Sequence, residues 1–445
     1  MATVTVTTLG CKVNQFESEA LMASLEDRGH RLVPFGEPAE ITIVNTCTVT
    51  HRADFQSRQM VRRAHRFNPG ALLIVTGCYA QVDPEAFRKI KGVHYLLGNA
   101  EKASIPDLLP RMLKGEIPRT QVADIQKETS FTDTPLFSFH HHTRAFLKIQ
   151  DGCSSHCSYC IVPQARGSSR SLSPEKVVRY AEVLKARKFK EVVLTGVHIG
   201  TYGLDLSPPY SLSKLLEQFE QAETPPRIRL SSIEPADFSS DLISSLSKSF
   251  KICPHLHIPI QSGDDEILRR MNRPYTCSFI ADLFQDLQET IPNLCLGADI
   301  IVGFPGETEE QFRKTYQLLE TLPLSYLHVF PFSRRKGTPA SQLPQQVETV
   351  VIRRRSEALR ELGREKRRAF YRRFLHQELM VLVEDRKDNE PARWRGLSRN
   401  YIPVVVIDET KSARNHDRVN EEVKVVITEA TERGVIGNLM ERLHG

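Results

Sequence analysis

The chain has 445 residues, 40% of them hydrophobic and 26% charged, with a formal net charge of +6, which excludes a disordered polymer and a histone-like polycation. No apolar run approaches the ~18–20 residues of a membrane span, and residues 1–9 have neither a basic flank nor an apolar core, so neither a membrane protein nor a secretory leader is expected. A cytoplasmic location follows, and there nine cysteines point to metal binding or catalysis rather than to disulfides.

Length over ~150 predicts about three domains, and the overall class read along the chain is α/β. Residues 1–116 alternate strand-like runs at 3–8, 41–45, 72–76 and 93–97 with helical stretches at 16–28, 52–67 and 84–90, the pattern of an open parallel sheet. Residues 117–138 read as a polar linker. Three histidines follow at 140–142 and, without a second ligand cluster, read as a polar lead-in to the next strand. Residues 139–370 hold a longer series, with strands expected at 145–150, 191–195, 227–231, 256–260, 296–302 and 326–330, a partial (β/α)6 barrel. A helix is expected over 347–375. Its residues 353–373 include ten Lys or Arg against three Glu, either a solvated face or a phosphate-binding one. Within residues 371–445, strand signals at 379–384, 402–407, 423–427 and near 435 predict a small β-barrel.

Cys153, Cys157 and Cys160 fall within eight residues after the first strand of the central series. Three thiolates at this spacing can each hold one iron of a 4Fe–4S cluster, which ordinarily takes four cysteines. The open iron would accept the amino and carboxylate groups of S-adenosylmethionine, whose cleavage releases a deoxyadenosyl radical. A zinc site is the alternative, with His156 as fourth ligand, but zinc sites usually come as paired C-x₂-C elements. Cys11, Cys47 and Cys78 each follow an expected N-terminal strand. In an open α/β sheet ligands gather beyond the carboxyl ends of the strands, so these thiols are expected to converge on a second three-cysteine cluster. Unrelated buried thiols are the alternative. Cys253, Cys277 and Cys295 read as structural.

DGCSSHCSYC at 151–160, LTGVHIG at 194–200, SSIEP at 231–235, IPIQSG at 258–263 and DIIVGFPGE at 299–307 occur in an order that resembles the radical S-adenosylmethionine methylthiotransferases over essentially the whole chain. GCKVNQFE at 10–17 and VNTCTVT at 44–50 are most similar to the MtaB-type branch, which converts N6-threonylcarbamoyladenosine next to the tRNA anticodon to its 2-methylthio derivative. Alternatives are methylthiolation of N6-isopentenyladenosine in tRNA, action on a ribosomal protein, and a non-catalytic iron–sulfur RNA-binding protein. Gln164 stands where the resemblance leads one to expect an aromatic residue.

The resemblance implies two 4Fe–4S clusters facing one gap, with S-adenosylmethionine as radical source and methyl donor. It also implies tRNA, a flavodoxin- or ferredoxin-like electron donor and a sulfur source as partners. Thr195, Glu234 and Gln261, at strand ends, are candidate cofactor contacts, and Gly303 would allow close approach of the adenine. The C-terminal barrel resembles the RNA-binding TRAM domain. Trp394, Arg395, Arg399 and Tyr401 pair aromatics with arginines, as base stacking and phosphate contact require; packing within the barrel is the alternative. Arg52, Arg58, Arg62, Arg63 and Arg66 would extend the phosphate track. Arg166, Arg334, Arg335 and Lys336 are candidates to read the carboxylate of the threonylcarbamoyl group.

Overall fold

The computed structural model describes residues 1–135, 143–386, 393–408 and 418–440. The three histidines His140, His141 and His142 lie outside the described residues. The N-terminal unit is a six-stranded parallel sheet in the order Arg31–Leu32, Thr3–Thr8, Ile41–Thr46, Leu72–Gly77, Val93–Leu97, Thr120–Gln121. Ile41–Thr46 is buried at every position, as expected of a central parallel strand covered on both faces. The stretch read as a linker supplies the sixth strand, buries Ile125, and accepts the Tyr180 hydroxyl at Asp133 (3.0 Å). It is therefore packed structure rather than a free connection. Sequence reading also misses the helix Ile105–Leu113, whose buried Ile105, Leu109 and Met112 close one face of the sheet.

Six parallel strands follow in sequence order: Arg144–Lys148, Glu191–Thr195, Arg227–Leu230, His255–Gln261, Cys295–Val302 and Tyr326–Pro331. They form two three-stranded sheets, which meet where Ile228 pairs with Ile252. Side-chain alternation divides them. Ala145, Leu147, Val192, Leu194 and Ile228 pack against the surrounding helices. The alternate positions, Arg144, Phe146, Glu191, Val193 and Arg229, line the concave face. The first helix, Lys12–Asp27, enters that face: Phe16 packs on Phe146 and Val193. The N-terminal unit thus fills one side of the partial barrel.

The C-terminal unit is a closed five-stranded barrel, in the order Glu378–Arg386, Arg393–Ser398, Pro403–Ile407, Val435–Leu439, Glu422–Ala430. The strand Arg393–Ser398 is not expected from the sequence. It points Trp394 inward, 1% exposed, and crosses Glu378–Arg386 at Gly396, where a Cβ would meet Leu382 O at 2.6 Å. The barrel core continues through Phe374, Phe370 and Tyr371 to Tyr326 and Cys295. The barrel core thus reaches the edge of the central unit, and the helix Thr349–Arg372 serves both cores, with Leu359 and Leu362 in the central one and Phe370 and Tyr371 in that of the barrel.

Candidate active site

The three N-terminal thiols converge as the strand ends predict. Gly10, at φ +106, lies so close to Cys47 that a Cβ would stand 2.8 Å from Cys47 Cβ. Cys11 lies in the field of Cys78, and Cys47 in the fields of Cys78 and Cys11. Loss of water, then these neighbours, push the Cys47 thiol up to about 12. Such protonated soft donors are deprotonated on metal binding. Asn14 braces the turn, its Nδ2 donating to Leu9 O (2.7 Å) and Thr46 O (3.1 Å). Asn99 Nδ2 approaches Cys78 Sγ at 3.6 Å and donates to Ala165 O at 2.7 Å, which joins this thiol to the second triplet.

Cys153, Cys157 and Cys160 form the second group. Cys160 feels both of the others, and burial first of all pushes it up to about 12. Cys153 goes the other way. Burial raises it, but His198 Nδ1, 3.6 Å from Sγ, together with the Ser155 N–H at 3.4 Å, outweighs burial and lowers it. His198 Nε2 is held 2.7 Å from Asp237. Burial opposes its charge, yet Asp237 and Cys153 hold it protonated up to about 10. His156, the alternative zinc ligand, is exposed on the loop. Cys253 and Cys295 are buried elsewhere, and Cys277 begins the helix Cys277–Thr290. Neither triplet has a fourth cysteine, and the donor sets fit two clusters that each keep an open iron.

The two groups are clamped together by contacts the sequence does not announce. Arg166 is fully enclosed: Nη2 donates to Asn14 Oδ1 (2.6 Å), and Nη1 donates to Glu17 Oε1 (2.9 Å) and Asp151 Oδ1 (2.8 Å). Burial opposes ionisation of Glu17, but Arg166, Lys102 and Lys148 hold its carboxyl well below the usual range. On the far side Arg335 binds Asp54 (2.7 Å) and Thr48 (2.6 Å), and the His51 N–H donates to Ser333 Oγ (2.9 Å). Arg166 and Arg335 are thus spent on joining the two units and are withdrawn as readers of a substrate carboxylate. Arg334 donates to Ser341 O. Gln164, at the position expected to be aromatic, donates instead to Gly337 O (2.8 Å).

Among the cofactor candidates, Thr195 is buried at its strand end. Glu234 accepts from Arg273 Nη1 (2.6 Å), and both lie in the field of Cys157. Gln261 is held at φ +67 at the end of its strand, a left-handed conformation costly for a non-glycine residue and often tied to function. Gly303 has φ +77, and a Cβ would strike Ile352 Cγ1 at 2.4 Å, so the helix packed against it by itself requires glycine.

The expected RNA contacts require larger correction. Trp394 is barrel core. Tyr401 stacks on His255 with ring centroids 4.0 Å apart, beneath Arg229 at 5.1 Å. Arg399 donates to Pro226 O, Phe250 O and Lys251 O. Tyr401 and Arg399 dock the barrel on the central unit while Trp394 fills the barrel, so the faces of all three are covered; of the four candidates only Arg395 is exposed. Much of the basic run of the helix Thr349–Arg372 is neutralised by Glu307, Glu309, Glu357, Glu361 and Glu432, which fits a solvated face. On the helix His51–Phe67, by contrast, Arg52, Arg62 and Arg66 are exposed and Phe55 is 55% exposed, beside the turn that carries Cys47.

Comparison with known proteins places this architecture. Residues 3–98 match the family described as Uncharacterized protein family UPF0004, and residues 147–319 match the Radical SAM superfamily. The chain is 39% identical over 433 residues to the threonylcarbamoyladenosine tRNA methylthiotransferase MtaB of Bacillus subtilis, covering 97% of this chain and 94% of that one. The chain belongs to the MtaB-type radical S-adenosylmethionine methylthiotransferases. A tRNA-2-methylthio-N(6)-dimethylallyladenosine synthase of Clostridium botulinum is 32% identical, covering 97% of this chain and 96% of that one. The radical S-adenosylmethionine methyltransferase TsrM of Kitasatospora setae shares the fold, with TM-score 0.58 at 15% identity and 76% of each chain covered. Among the described residues, no helix is long and apolar enough to cross a membrane.

Proposed function

We propose that this chain methylthiolates C2 of N6-threonylcarbamoyladenosine next to the anticodon of tRNA. The observation that carries the reading is near full-length similarity to a relative of that name, in a chain whose two thiol triplets are locked to each other through Arg166 and Asn99. No side chain abstracts hydrogen from an aromatic carbon, so cofactors must supply that step. Two 4Fe–4S clusters, at Cys153, Cys157 and Cys160 and at Cys11, Cys47 and Cys78, would supply the electron that cleaves S-adenosylmethionine and an open iron for the transferred sulfur. The chain's own groups orient these parts. His198 hydrogen-bonds the Cys153 sulfur, and Arg166 and Arg335 fix the width of the gap. Glu234, Gln261 and Thr195 surround the place for S-adenosylmethionine.

The tRNA approaches along Arg52, Phe55 and Arg62, with Arg395 on the TRAM-like barrel as a further phosphate contact. A flavodoxin- or ferredoxin-like donor supplies electrons, and an external source supplies sulfur. The reading is tested by nucleoside mass spectrometry of tRNA from cells lacking the gene. Loss of the methylthio derivative with gain of threonylcarbamoyladenosine supports it, and an unchanged nucleoside profile contradicts it.

A further inference from the structure

Arg144, Lys148 and Arg229, on strands of the central unit, and Arg166, Arg273 and Arg335, outside those strands, each have a carboxylate partner. Lys12 does not. It stands one turn before Phe16 on the helix face that enters the concavity of the central unit, half-buried, yet no described residue accepts a hydrogen bond from its ammonium or forms an ion pair with it. A cation withdrawn from bulk water without a partner is costly, and such a group is retained where a ligand supplies the anion.

We propose that Lys12 binds the carboxylate of the threonylcarbamoyl group and so sets the substrate specificity. The proposal rests on the substrate reading above and deepens it. Lys12 adjoins Cys11, a proposed ligand of the sulfur-carrying cluster. In adenine, C2 and the N6-bearing carbon flank the same ring nitrogen, so a base presenting C2 to that cluster carries its N6 substituent beside it. The carboxylate at the end of that substituent then lies within a lysine's reach of Cys11. The pair is a charge-assisted hydrogen bond in a place poor in water, where an analogue lacking the anion leaves the ammonium unpaired and is rejected.

The test compares anticodon stem-loop RNA bearing threonylcarbamoyladenosine with the same RNA bearing its methyl ester, which removes the charge and adds one methyl group. Cluster-loaded wild type, Lys12→Met and Lys12→Arg are assayed for kcat/KM and, separately, for binding of both RNAs. Wild type is expected to favour the acid by roughly 10²-fold. In Lys12→Met that ratio collapses toward one through loss of the acid reaction, and Lys12→Arg restores most of it. Iron content identifies any variant that has merely lost its clusters, and the binding ratio reads the same preference without turnover. A Lys12→Met protein that keeps the wild-type preference for acid over ester overturns the proposal while leaving the substrate reading intact. A wild type that ignores both RNAs and modifies isopentenyl RNA overturns the substrate reading, and the proposal with it.

Discussion

Arg166 donates a 2.6 Å hydrogen bond to Asn14 across 152 positions of sequence, and so ties the loop of Cys153, Cys157 and Cys160 to the turn that follows Cys11. Glu17 and Asp151 complete its shell, and with all of these partners enclosed the guanidinium fixes the relative position of two reacting centres. Arg166→Met leaves the Asn14 amide oxygen without its guanidinium donor and leaves Glu17 and Asp151 to Lys102, Lys148 and Arg170 alone, a change worth about 1.5–3 kcal/mol of stability. It is expected to lower methylthiolated product per deoxyadenosine formed by at least ~10-fold. Both products are counted by mass spectrometry from one reaction, and an unchanged ratio would show that the clamp does not set the geometry.

The two triplets should be separable by mutation because they lie in different units. Cys157→Ala is expected to retain roughly half the iron and to lose deoxyadenosine formation. Cys78→Ala is expected to retain roughly half the iron and keep cofactor cleavage, but to lose sulfur transfer. Iron and sulfide counting after anaerobic reconstitution, paired with deoxyadenosine assay, checks both.

For RNA recognition, the burial of Trp394 makes a prediction opposite to the one its sequence neighbours suggest. Trp394→Phe should leave tRNA affinity unchanged, whereas Trp394→Ala should destabilise the protein by ~3–5 kcal/mol. Replacing Arg52 and Arg62 with Ala should weaken tRNA binding and reduce its salt dependence, by up to about 0.9 in log–log slope for each phosphate no longer neutralised. Filter binding over a range of salt concentrations measures this.

The barrel docks on Arg227 and Arg229, which donate to Leu397 O (2.9 Å) and Arg399 O (3.0 Å) and are held by Glu191, whose carboxylate accepts from each at 2.7 Å. Burial raises its pKa, but Arg229 and Arg227 overcome that and hold it at about 2. A carboxyl lowered on folding contributes stability that is complete above its unfolded pKa and lost as pH falls through the folded value. The contribution is about 3 kcal/mol. The stability gap between wild type and Glu191→Gln, from urea unfolding, should therefore be constant above about pH 5 and narrow as pH falls from about 4.5 toward 2. A gap independent of pH would contradict the assigned ion pair.

Features encoded locally are the ones that can be read from the sequence. Buried parallel strands such as Glu191–Thr195 and Ile41–Thr46 read as short apolar runs, and cysteines just beyond strand ends advertise their convergence. Pairings such as Asn14 with Arg166 or Asp54 with Arg335 depend on how two units dock, and no local pattern carries that. In Arg393–Ser398 the signal is present but easily misread. Alternation of Arg and Trp is the period-two pattern of a half-buried strand, which places the aromatic inside rather than against a base. At Gly303 the packing reason for glycine is invisible in the sequence, because the helix carrying Ile352 is distant along the chain.

The substrate assignment stands or falls on a paired anaerobic assay of cluster-loaded enzyme with two tRNAs, one bearing threonylcarbamoyladenosine and the other isopentenyladenosine. Nucleosides are read by mass after digestion. A methylthio derivative of the first tRNA and none of the second is expected; turnover of the isopentenyl substrate in preference would contradict the assignment.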